Sequence, residues 1–220
     1  MLEELKNNVI RISKDAQLKG LCQPGSGNFS EKDKETGYVV VTPATVDRMK
    51  LTTDDIVVVD LDGNIIEAKN DRRPSSETMM HLQIYKTRDD INGVAHTHSK
   101  YATSFAVIGK EIPAIVYELA TMGLKEARIP VAPFATPGTP ELAKTVIESC
   151  KISNAFLMEK HGAVGIGEDL EKAYLNMQYL EDIAHIYFNV LMINNGKEPD
   201  SFKQEDFDIW KYPEKLDLEG

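Results

Sequence analysis

The sequence predicts a single α/β domain, helical at both ends and strand-rich between. Three observations carry this. At 220 residues with 42% hydrophobic content the chain can bury one substantial core. Apolar residues recur at helical spacing near the N-terminus and again over residues 169–193. Between those ends run short β-rich segments separated by turn residues.

Taken in order, Leu2, Leu5, Val9, Ile12, Ala16 and Leu18 form an amphipathic helix that packs on the sheet. Gln23-Pro24-Gly25-Ser26-Gly27-Asn28-Phe29-Ser30 is rich in breakers and reads as a turn. Its glycines let backbone N–H groups approach a ligand, and Asn28 can donate to an oxyanion. Residues 37–42 and 56–61 are expected core strands, and Asp62-Gly63 turns the second into another over residues 65–68. Pro74-Ser75-Ser76-Glu77 predicts a helix start running to Lys86, with Met79, Leu82 and Tyr85 facing the core. A short helix over 100–107, a strand over 112–117 and another over 128–131 follow. Thr139 and Pro140 are an N-cap and a first helical residue. Residues 155–158 and 163–166 are short strands flanking His161, and the longest helix covers 169–193. The charged, aromatic tail from Glu198 contains Trp210-Lys211-Tyr212.

Composition narrows the function. A formal charge of −10 argues against nucleic acid, which is bound through clustered Lys and Arg. Two cysteines are too few for a disulfide framework, no signal-peptide pattern opens the chain, and no apolar run is long enough for a membrane span. A reduced, cytoplasmic protein is expected.

The candidate chemistry begins at Gly93-Val94-Ala95-His96-Thr97-His98-Ser99. Strand side chains repeat every second residue, so His96 and His98 point to one face and form either a metal clamp or two packed strand histidines. Imidazole suits Zn²⁺, and a catalytic zinc takes three protein ligands with a position left open. The other histidines are His81, His161 and His185. His161 stands at a glycine-marked break where a side chain can turn into a cleft, whereas His81 and His185 sit in helical pattern and read as packing or capping residues. The helix start at Ser75-Ser76-Glu77 also makes an anion site, because free N–H groups and two hydroxyls converge there. Glu77 would then lie beside a phosphate pocket.

Ser75-Ser76-Glu77, His96-Thr97-His98 and His161-Gly162, with Gly27-Asn28-Phe29-Ser30 and Val41-Thr42-Pro43, resemble the class II sugar-phosphate aldolase and pentulose-phosphate epimerase superfamily. The resemblance runs from about Leu18 to about Val190. Ile112-Pro113-Ala114-Ile115-Val116-Tyr117 and Phe134-Ala135-Thr136-Pro137-Gly138-Thr139 are most similar to the L-fuculose-1-phosphate aldolases within it. It implies one layered α/β domain over residues 1–220, a largely antiparallel central sheet with helices on both faces, and a mobile C-terminal tail over 198–220. It further implies one Zn²⁺ per subunit held by Glu77, His96, His98 and His161. Gly27, Asn28, Ala44, Thr45, Ser75 and Ser76 would bind the phosphate, and Glu77, Tyr117 and Tyr212 would act in catalysis. The tyrosine at Tyr117 would come from a neighbouring subunit of a cyclic homotetramer. The implied reaction is reversible aldol cleavage of a ketose 1-phosphate to dihydroxyacetone phosphate and an aldehyde such as lactaldehyde.

Three positions depart from the family pattern: Ala44-Thr45 stands where Ser/Thr-Gly is usual, and Pro137 where an aromatic is usual. Three alternatives follow from the same resemblance. One is L-ribulose-5-phosphate 4-epimerase, whose pattern favours Asp at Glu77. Another is an aldolase or dehydratase of a different deoxy or methylthio sugar phosphate. The third is a non-catalytic module like the adducin head, against which the four metal-binding side chains count.

Overall fold

The computed structural model describes residues 2–209. Helix α1 (Glu3–Leu18) leads into strands β1 (Asn28–Lys32), β2 (Val39–Val41), β3 (Val57–Val59) and β4 (Ile65–Glu67). Helix α2 (Thr78–Thr87), strand β5 (Gly93–Thr97) and helix α3 (Lys100–Val107) follow. Short strands β6 (Ile112–Pro113), β7 (Arg128–Ile129) and β8 (Val131–Ala132) precede helix α4 (Pro140–Ile152). Strands β9 (Ala155–Met158) and β10 (Gly162–Gly167), the long helix α5 (Leu170–Ile193) and a short helix α6 (Gln204–Asp208) complete the described chain.

Eight strands form the central sheet in the order β4-β3-β2-β1-β5-β10-β9-β8. Every neighbouring pair is antiparallel except β8 with β9, while β6 and β7 pair apart from it. The two-residue alternation of strand side chains divides the core. Val40, Val58, Ala95, Leu157 and Ala163 pack with α1, α3 and α5 on one face. Val39, Val41, Val57, Val59, Val94, Phe156, Met158 and Val164 pack with α2 and α4 on the other. A fully buried Val, Leu, Ile or Phe contributes about 1.5–3 kcal/mol, so both layers are bound to the sheet by its pleat. The layered, largely antiparallel α/β domain expected from the sequence is what forms.

Several boundaries differ. Asn28 to Ser30 are not turn residues; they open β1, beside β5 at the sheet centre. The run at 65–68 is an exposed sheet edge rather than core, with Ile65 53% and Ile66 39% exposed. Helix α2 begins at Thr78, because Ser75 N is drawn into the loop pairing with Thr42 before it. Its buried stripe includes Met80, His81, Ile84 and Tyr85, leaving Met79 outside. The strand expected over 112–117 stops at Pro113, and Tyr117 opens a 3-10 turn. Thr139 does cap α4, accepting from Leu142 N, with Pro140 as first residue. His185 stacks on Tyr101, as a packing residue should. Residues 198–209 dock on the body: Phe202 N donates to the Ala114 carbonyl, and Phe207 is buried.

Candidate metal centre

The metal strand is β5. His96 and His98 share parity with Val94, so both project toward the α2 side of the sheet. His161 reaches the same point from the tight β9–β10 turn, where Lys160 takes φ 56 and His161 N donates to the Met158 carbonyl. The next residue has no side chain for a reason. A Cβ on Gly162 would lie 2.5 Å from the Thr97 carbonyl oxygen and 3.0–3.1 Å from the His98 and His96 rings.

One ligand atom from each of His96, His98 and His161 lies within 4.8 Å of the others. Glu77, the residue before α2, completes the group. Its Oε2 is 3.1 Å from His96 Nε2 and its Oε1 2.9 Å from His161 Nε2. His96 Nδ1 is 2.9 Å from the Ala163 carbonyl oxygen, an acceptor, so Nδ1 carries the proton and the neutral ring presents its Nε2 lone pair. That lone pair faces a carboxylate oxygen and, at 3.0 Å, His98 Nε2. Acceptors aimed at acceptors need a cation between them. Four ligand atoms about 2 Å from a tetrahedral Zn²⁺ stand about 3.3 Å apart, close to the spacing observed, and imidazole with carboxylate is the donor set that such an ion takes. The residues therefore fit a metal.

Electrostatics agree. Burial pushes the Glu77 carboxyl up, but the His96 and His161 imidazoles beside it and the Asn28 amide outweigh that and hold Glu77 well below the usual carboxylate range. His98 is pushed down to about 4, first by burial and then by the neighbouring His96 and His161 imidazoles.

Around this centre the predicted phosphate residues fall into two groups. Asn28 lies directly opposite His96 across β1 and β5, and its Nδ2 donates to Glu77 Oε2 at 2.8 Å. Gly27 presses its backbone on the metal strand, since a Cβ there would lie 2.6 Å from the His96 carbonyl oxygen. The other group is a pair of apposed loops. Ser75 N donates to the Thr42 carbonyl and Ala44 N to the Arg73 carbonyl, with Pro43 bridged to Pro74. Ala44, Thr45, Ser75 and Ser76 are thus held side by side, next to Glu77. The Ala44 and Ser75 amides are occupied in making that pairing. Thr45 keeps φ 52, a conformation suited to glycine.

Tyr117 is not brought to the centre. It is 38% exposed and contacts Phe202, Phe207 and, at 3.5 Å, the Asp206 carbonyl. Tyr212 lies outside the described residues. Sequence reasoning read Tyr85 as core and His81 as a packing or capping residue, and missed that both join Ser30 in a buried polar chain beside the site. The available signal was the two-residue alternation of Asn28 and Ser30 opposite a His81/Tyr85 pair at i, i+4.

Three imidazoles and a buried carboxylate converging at the end of a central strand define a candidate metal centre. The chain belongs to the class II aldolase and adducin N-terminal domain family, whose model matches residues 7–188. It is 32% identical over 197 residues to a 5-deoxy-D-ribulose 1-phosphate aldolase of Bacillus thuringiensis serovar kurstaki, covering 90% of each chain. It is 37% identical over 171 residues to an L-fuculose phosphate aldolase of Methanococcus maripaludis, covering 78% of this chain and 87% of that one. A solved L-fuculose 1-phosphate aldolase superposes with a TM-score of 0.87 at 32% identity, covering 95% of both chains. The enzyme class is class II aldolase, and a sugar phosphate suits it as substrate. Among the described residues no helix is long and apolar enough to cross a membrane.

Proposed function

We propose that this chain catalyses reversible aldol cleavage of a ketose 1-phosphate to dihydroxyacetone phosphate and a short aldehyde, with one Zn²⁺ per subunit. The observation that carries the reading is the convergence of Glu77, His96, His98 and His161 beside the apposed loops at 42–45 and 73–76. A bound divalent cation supplies Lewis-acid polarisation of the substrate carbonyl and its neighbouring hydroxyl oxygen. Gly27, Asn28, Thr45, Ser75 and Ser76 hold the phosphate at the other end, and the loop around Ala44 shapes that pocket. In the cleavage direction the ionised Glu77 carboxylate accepts the proton of the hydroxyl on carbon 4 as the bond between carbons 3 and 4 breaks. The electron pair of that bond stays on the three-carbon fragment, and Glu77 returns the proton to carbon 3. Glu77 is 6% exposed, so bulk water does not compete for that proton.

Tyr117 stands 38% exposed with its ring against Phe202 and Phe207 of the docked tail, which suits a group delivered to a neighbouring subunit's site in a homotetramer. There it holds the aldehyde oxygen. Tyr212 would close over the site from the C-terminal segment. The favoured substrate is L-fuculose 1-phosphate or a close analogue. A second reading, 5-deoxyribulose 1-phosphate, is supported by the relative that matches 90% of the chain. Both share the phosphate, the carbonyl and the scissile bond, and differ only in the aldehyde half. The test is dihydroxyacetone phosphate release from each, followed through a coupled reductase. Release from either supports the reaction, and the larger kcat/KM assigns the substrate; no release from either by metal-loaded protein would sink it.

A further inference from the structure

His81 takes no part in the metal centre, yet it is fully buried and hydrogen-bonded on both ring nitrogens. It belongs to a continuous polar chain between α2 and β1. Tyr85 donates its hydroxyl to the Ser30 carbonyl at 3.0 Å, and the Ser30 hydroxyl lies 2.6 Å from His81 Nδ1. His81 Nε2 lies 2.5 Å from Asn28 Oδ1, and Asn28 Nδ2 reaches Glu77 Oε2.

The direction of each hydrogen bond follows from the end of the chain. An ionised Glu77 only accepts, so Asn28 must turn its NH₂ toward it. Asn28 Oδ1 then faces His81 and also only accepts, so His81 Nε2 carries the proton and Nδ1 receives the Ser30 hydroxyl. Reversing the Asn28 amide would set oxygen against carboxylate where both residues are buried. Burial holds His81 neutral, pushed down to about 3, so a single tautomer persists through neutral pH.

We propose that His81 is a positioning residue: its Nε2–H locks the Asn28 amide, and Asn28 holds the Glu77 carboxylate in the orientation that the metal centre uses. This rests on the reading of Glu77 as metal ligand and proton carrier. Groups that hydrogen-bond metal ligands typically change metal affinity or activity by about 10–100-fold when lost.

The test crosses His81→Asn and His81→Gln with Asn28→Ala. An Asn amide reaches only the Nδ1 side and leaves Asn28 unheld, whereas a Gln amide nitrogen can stand where Nε2 stood. His81→Asn is expected to weaken zinc binding, read by chelator competition, about tenfold, and to lower kcat. His81→Gln should recover most of both, and neither should add to the loss in Asn28→Ala. Equal defects in the two His81 variants, or losses that multiply with Asn28→Ala, would overturn the proposal. A nitrogen-15 spectrum of the wild-type imidazoles needs no variant to fold: an Nε2–H tautomer at His81 is expected, and an Nδ1–H tautomer contradicts it. Should wild type cleave no ketose 1-phosphate, the reaction reading fails, while zinc competition and tautomer still decide the role of His81.

Discussion

Thr45 holds φ 52, a left-handed conformation that costs an ordinary L-residue about 1–2 kcal/mol and suits a β-branched one least. The resemblance puts glycine at this position, so the loop keeps a glycine's shape without its freedom. Thr45→Gly relieves that strain while adding about 0.5–1 kcal/mol of unfolded-state entropy. The variant should therefore be as stable as wild type or up to about 1 kcal/mol more so in denaturant titration. A loss of 1 kcal/mol or more, the ordinary result of Thr→Gly in extended backbone, would show that the loop is unstrained. Other site residues were legible for equally local reasons. His96 and His98 follow from strand parity, and His161 from the glycine after it. His81 was not legible, because its burial depends on the rotational phase of α2 and on a strand at Asn28 that breaker residues disguised.

Among the elements, β10 and α5 show what sequence patterns leave out. Gly165 reads as a weak spot in a strand, yet a Cβ there would lie 2.4 Å from the Ala173 carbonyl oxygen and 2.9 Å from Met177 N. Those atoms are helix backbone and cannot swing aside, so the glycine is what lets α5 lie directly on the sheet behind the metal strand. Gly165→Ala is expected to cost about 1–3 kcal/mol, seen as a Tm lower by several degrees. An unchanged Tm would mean that α5 is not in contact there. Helix ends with a chemical stop signal, such as Thr139-Pro140, were readable. The start of α2 was not, because Ser75 is drawn into pairing with Thr42, a contact between loops 33 residues apart in the chain. The tertiary bond wins over the cap.

At the scale of the molecule, the sheet places every group of the centre on one face, the face packed by α2 and α4, and leaves the other to hydrophobic packing by α1, α3 and α5. Composition and periodicity pointed to the α/β class and the resemblance to a largely antiparallel sheet, whereas the order of strands came only from the structure, since no local pattern says that β1 lies between β2 and β5. Tyr117 marks the limit of one subunit: its place in the proposed reaction requires a second copy, which no single-chain pattern encodes. The account as a whole turns on the metal. The most direct measurement is dihydroxyacetone phosphate release before chelation, after chelation, and after stoichiometric zinc is returned. The account predicts that release is abolished by the chelator and restored by zinc. Turnover that survives complete metal removal would contradict it.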